Sequence, residues 1–130
     1  MNRNSLFPPL AAAGLKDLLL FFCGRRRLLK IQGDSMLPHL EPEDRILINP
    51  RITPRSGDVI VAWHPSKPGL RLIKRLHGME PNGMFLLGDN PSASTDSRQL
   101  GPIPTALMIG VAVSRLRRSP TTSSATRSHR

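Results

Sequence analysis

Three short segments carry residue types that could do chemistry together. Gly33-Asp34-Ser35-Met36-Leu37-Pro38 sets a serine at a sharp corner. Glycine lets the backbone turn, and a serine there can aim both its hydroxyl and its own amide N–H at one substrate carbonyl. Met36 would anchor the turn on the apolar side. The same six residues also suit an ordinary turn in which Asp34 or Ser35 caps a short helix. In Leu72-Ile73-Lys74-Arg75-Leu76, strand alternation puts Leu72, Lys74 and Leu76 on one face and Ile73 and Arg75 on the other. A lysine held among leucines loses the hydration of its ammonium, so its pKa falls and the neutral amine becomes a general base. The alternative is an edge strand from which Lys74 snorkels to water. The third segment, Gly88-Asp89-Asn90-Pro91-Ser92-Ala93-Ser94-Thr95-Asp96-Ser97-Arg98, is a polar loop that is costly to order unless tied down. Asp96 with Arg98 or Asp89 offers the ties, and a hydroxyl here could orient a lysine amine. Taken alone it also reads as a plain surface loop.

Other chemistries find less support. His39, His64, His77 and His129 lack metal-ligand spacing, and a Ser-His-Asp triad would have to recruit His39 or His77 without a local motif. His64, beside Trp63, reads as a strand-end residue. The single cysteine, Cys23, excludes an intrachain disulfide and a cysteine-based zinc cage. No Gly-rich phosphate loop or dinucleotide fingerprint occurs, so neither a cofactor nor a metal is expected.

The elements that must position these residues read as strands. A chain of 130 residues supports one small domain, and 13 prolines with 10 glycines argue against a helical bundle. Apolar residues at 38% can still fill a modest core. They cluster in Leu28-Leu29-Lys30-Ile31-Gln32, Ile46-Leu47-Ile48, Val59-Ile60-Val61-Ala62-Trp63, the stretch 70–76, Met84-Phe85-Leu86-Leu87, and Met108-Ile109-Gly110-Val111-Ala112-Val113. Turn residues separate them: Asn49-Pro50, Ser56-Gly57-Asp58, Pro68-Gly69, Pro81-Asn82-Gly83 and Gly88-Asp89-Asn90-Pro91. Pro81-Asn82-Gly83 predicts a hairpin, because Asn-Gly tolerates positive φ. The expectation is a mainly β domain over residues 28–117 with no helix longer than a turn or two.

The formal net charge of +10 sits in the ends of the chain. Residues 1–30 hold six Lys/Arg against one acid, residues 111–130 hold five against none, and residues 31–110 hold eight of each sign. A basic-faced nucleic-acid domain is therefore not expected, although basic arms could meet anionic surfaces. Within the hydrophobic and basic segment 1–27, residues 6–23 are interrupted by Pro8-Pro9 and Lys16-Asp17, which argues against a spanning helix. Leu15, Leu18, Leu19 and Phe22 recur at helical spacing, as in a short helix lying on the domain or at a membrane surface. If the segment inserts, Arg25-Arg26-Arg27 keeps this basic flank and the domain after it in the cytoplasm. No secretory signal is evident. The Ser/Thr-rich tail, 118–130, is expected to be disordered.

Taken in order, the segments resemble the signal peptidase I family of serine proteases, which use a Ser/Lys dyad. Residues 33–38 resemble its nucleophile box and Ser56-Gly57-Asp58-Val59-Ile60-Val61 its Gly-Asp-hydrophobic strand. Leu72-Ile73-Lys74-Arg75 resembles its lysine box, and Gly88-Asp89-Asn90 through Ser94-Thr95-Asp96-Ser97-Arg98 its closing box. The resemblance covers residues 30–115 and implies a small coiled-sheet or partial-barrel domain with a short N-terminal helix. It makes Ser35 the nucleophile and Lys74 the general base, with Ser94 holding the amine and Asp96 and Arg98 bracing the loop. Gly33 stands where some relatives carry a second hydroxyl for the oxyanion, leaving the Ser35 N–H as main donor. Only 13 residues separate Lys74 from Gly88, so a large inserted subdomain is absent. The stretch 63–75 and the closing-box variant look most like the branch that matures nickel-type superoxide dismutase, implying that dismutase precursor as substrate and partner. The rivals are a general signal peptidase for exported proteins, a self-cleaving repressor-type domain lacking room for its DNA-binding module, and a non-enzymatic basic adaptor.

Overall fold

The computed structural model describes residues 10, 12 and 14–116. The expected disordered tail, His129 and most of residues 1–13 lie outside these. Six strands form where the apolar clusters fall: β1 (Arg27–Lys30), β2 (Arg45–Asn49), β3 (Val59–Trp63), β4 (Arg71–Glu80), β5 (Gly83–Leu87) and β6 (Met108–Leu116). They build one antiparallel sheet in the order β1-β2-β6-β3-β4-β5, with β1 and β5 as its edges. The pairing leaves it an open sheet, as a partial barrel requires. Register shifts at Leu47/Ile48, Val61/Ala62 and Leu76/Gly78 bend and coil it. Two short helices accompany it, α1 (Leu15–Phe22) and α2 (Ser97–Leu100).

The coiling explains why β3 is apolar without interruption. Val59 and Val61 pack into one core with Leu29, Ile46 and Ile48, while Ile60 and Ala62 pack into a second with Leu72, Leu76 and Leu86. A strand covered on both faces cannot alternate with polar residues. Each fully buried Ile or Leu contributes about 2 kcal/mol of transfer free energy. The 81–82 turn forms as the sequence predicts, with Glu80 paired to Gly83, but Asn82 does not take a positive φ. Gly83 does (φ 143°), and a Cβ there would strike the Ile103 carbonyl. The glycine answers a close approach between chain segments as well as a turn.

The helical spacing in residues 15–22 forms α1, yet Leu15 and Leu19 remain 74% and 56% exposed. The domain thus does not cover that side of the helix. No helix among the described residues is long and apolar enough to cross a membrane.

Candidate active site

Gly33 takes a left-handed φ of 79° and brings the chain round at the end of the β1 segment. The next residues make successive turns, Leu37 N–H to Asp34 O and His39 N–H to Met36 O, with no helix for Asp34 or Ser35 to cap. Met36 is buried in the first core, as its place in the motif suggests, and anchors the turn. The other side is held by the loop after β5. Asn90 donates its backbone N–H to the Ser35 carbonyl (2.8 Å) and its side-chain amide to the Asp34 carbonyl (3.0 Å). Gly88 lies so close that a Cβ would overlap both the Ser94 hydroxyl and the Ser35 carbonyl oxygen.

Lys74 sits on β4 opposite Ile60 and is only 5% exposed. It does not snorkel. Its Nζ donates to Ser94 Oγ at 3.1 Å, and Ser94 Oγ donates to Asp96 Oδ2 at 2.7 Å. Asp96 is the N-cap of α2 and closes a capping box with Gln99. It also accepts from the Gly88 N–H (2.8 Å) and from Arg98 Nε (2.9 Å). Burial by itself would raise the Asp96 pKa, but the bonds from Arg98, Gly88 and Ser94 outweigh it and hold the carboxyl well below the usual carboxylate range. Burial lowers the Lys74 pKa. Asp96 pulls the other way, and the Arg98 charge adds to the lowering.

Ser35 and Lys74 line the same cavity of about 210 Å³. Leu29, Lys30 and Gln32 form one wall and residues 69–74 the other. No hydrogen bond joins Ser35 Oγ to Lys74 Nζ. Among the described residues, neither the Ser35 hydroxyl nor its N–H has a hydrogen-bond partner. Of the six residues singled out from the sequence, Ser35 and Lys74 share this cavity, Ser94, Asp96 and Arg98 are linked to Lys74 by hydrogen bonds, and Gly33 turns the chain ahead of Ser35.

A second polar cluster has no signal in the local sequence. Arg75 is 2% exposed and clamps Asp89 with two bonds, Nε to Oδ1 (3.1 Å) and Nη2 to Oδ2 (2.7 Å). Its Nη1 donates to the Gly57 carbonyl, tying in the Ser56-Gly57-Asp58 segment. Asp89 Oδ2 also meets His39 Nδ1 at 2.7 Å. Alternation sets Arg75 on the face away from Lys74, and only the coiled sheet shows that face to be buried too. His77 is exposed, and His64 is a buried strand-end residue whose Nδ1 accepts the Ser66 and Lys67 N–H groups. Among the described residues no group of three His, Cys, Asp or Glu side chains could hold a metal.

The sequence matches the Peptidase S24-like family over residues 23–113. The chain belongs to that family. Curated relatives of this S24-like chain include the mitochondrial ATP-independent inner membrane protease subunit 1b of Arabidopsis thaliana, 32% identical over 60% of this chain and 62% of the relative. Another is the mitochondrial inner membrane protease subunit 1 of Xenopus tropicalis, 34% identical over 60% and 61%. Subunit 2 from Schizosaccharomyces pombe is 29% identical over 60% and 57%. The chain spans about three fifths of the length of these relatives.

Proposed function

We propose that this S24-like chain is a serine endopeptidase working through Ser35 and Lys74 in its 28–117 domain. The observation that carries the reading is a buried lysine of lowered pKa, steered by Ser94 and Asp96 into the cavity that holds an unpartnered serine. Neutral Lys74 takes the Ser35 proton as Oγ attacks the scissile carbonyl, and the Ser35 N–H donates to the oxyanion. The lysine returns that proton to the leaving amine, and water releases the acyl group by the same route. Catalytic hydrogen bonds are often long in a free enzyme and tighten on substrate, which accommodates the open Ser35–Lys74 geometry. An extended peptide fits between two strand edges that are free among the described residues, since there β1 pairs only with β2 and β5 reaches β4 no further than Arg75.

The chemistry is removal of a short leader from a precursor protein, in keeping with relatives named inner membrane proteases. Within that class, the motif variants at 63–75 and 88–98 support the nickel-type superoxide dismutase precursor as substrate. The uncovered Leu15 and Leu19 side of α1, followed by Arg25-Arg26-Arg27, supports attachment to a membrane surface, and were the segment to insert, the same basic flank would hold the domain in the cytoplasm. Mixing the purified protein with that precursor should yield a trimmed product, and Ser35→Ala or Lys74→Met should each reduce cleavage at least a thousandfold. Unchanged cleavage by Lys74→Met would refute the base assignment. If only other leader-bearing precursors are trimmed, the general signal-peptidase reading replaces the dismutase.

The His39–Asp89 contact favours a second reading, in which His39 acts as base toward Ser35. Asp89 is already clamped by Arg75, which fits a bracing role better. Retained cleavage in His39→Asn, alongside its loss in Lys74→Met, distinguishes the two.

A further inference from the structure

The groove beside Ser35 has a one-sided charge. Among the described residues its ionisable lining groups are Lys30, Arg71 and Lys74, with no carboxylate. Each of the three bases stands differently. The Lys74 amine is engaged by Ser94. Lys30 meets Glu43 at 3.2 Å, with both side chains about half exposed, a pairing that water largely screens. Arg71 is exposed, and no hydrogen bond or ion pair engages its guanidinium among the described residues.

Arg71 is also placed where a bound strand must pass. It opens β4, with Trp63 across the ladder on one side and a free edge on the other. A peptide adding to that edge runs toward Lys74 with Arg71 three residues away along the strand. A guanidinium presents a planar fork matching a carboxylate, and a bidentate pair gains direction as well as charge. A lysine on the facing wall, Lys30, adds to the same field.

We propose that the groove selects peptides carrying an Asp or Glu near the cleaved bond, and that Arg71 is the specificity-determining residue that reads it. This rests on the endopeptidase reading for its consequence in cleavage, while the selection itself is a property of binding. Glu43 acts as an internal competitor that occupies Lys30 until a substrate carboxylate arrives.

The test uses one library of capped synthetic decapeptides in two arms. In the first, the full-length protein cleaves the library and mass spectrometry reads the residues around each cut. In the second, immobilised Ser35→Ala protein retains peptides without cutting them. The expected result is Asp and Glu enrichment at a fixed place in both arms. Arg71→Gln should reduce the acidic-over-neutral preference about tenfold, Arg71→Glu should turn it toward Lys and Arg, and Glu43→Gln should strengthen it. Cleavage with no acidic enrichment, or enrichment untouched by Arg71→Glu, would overturn the role of Arg71 and leave the peptidase intact. Arg71-dependent acidic retention without cleavage would do the reverse.

Discussion

At the scale of single residues, the site is organised by opposing pulls on one amine. Burial and the Arg98 charge lower the Lys74 pKa, whereas Asp96 raises it. In the proposed mechanism the neutral amine is the active form, so kcat/KM should rise with pH through a pKa below the ordinary lysine value. Asp96→Asn removes the raising charge and leaves the lowering one, so the rising limb should move to lower pH. Arg98→Gln should move it upward, and pH–rate profiles of the two variants check both directions. Asp96 also bears on stability. Its pKa is depressed in the folded state, so its contribution is complete above the unfolded value of about 4 and disappears only as pH falls through the lower folded value. Asp96→Asn should cost about 2 kcal/mol at neutral pH by denaturant unfolding, with the gap to wild type closing in strong acid. The Arg98 side chain is 38% exposed, which keeps that figure modest. The leucines that flank Lys74 at strand spacing allow either burial or an edge position, and the ordered resemblance of the segments is what points to Lys74. His39 was not legible in the sequence, since its partner lies 50 positions away and no local pattern announces the pair.

At the scale of elements, the serine turn and the closing loop are fitted against each other with no room to spare. Gly88 is the point of contact. Its missing Cβ lets the Ser94 hydroxyl and the Ser35 carbonyl approach from two different segments. Gly88→Ala should push those segments apart and lower kcat at least tenfold, and a far-ultraviolet spectrum like that of wild type would show that the sheet survives. The strands themselves were readable from apolar clusters bounded by turn residues, and all six form where expected. The clusters could not reveal which faces the coiled sheet would close over. Arg75 shows the gap: a base on the apparent outer face proves to be as buried as Lys74, because the sheet curls and the 88–90 loop folds across it. The two charged networks thus flank β4, one on each side.

At the scale of the molecule, the sheet consists of two pieces bridged by one strand. β1 and β2 form one, β3, β4 and β5 the other, and among the described residues β6 is the strand that pairs with both. Such non-local pairing makes for slow folding relative to a chain of simple hairpins. The net charge of the chain sits at its ends, which says nothing about the groove, where Lys30 is brought against Arg71 and Lys74 of β4. β6 does more than join the sheet. Arg115, near its end, donates to the His39 carbonyl and pairs with Asp44 at 3.8 Å, so it fastens the segment that carries Ser35. During translation, β1 through β5 emerge from the ribosome before that fastening exists. In the endopeptidase reading, the segment that carries the proposed nucleophile therefore gains its Arg115 fastening only once synthesis has passed position 115.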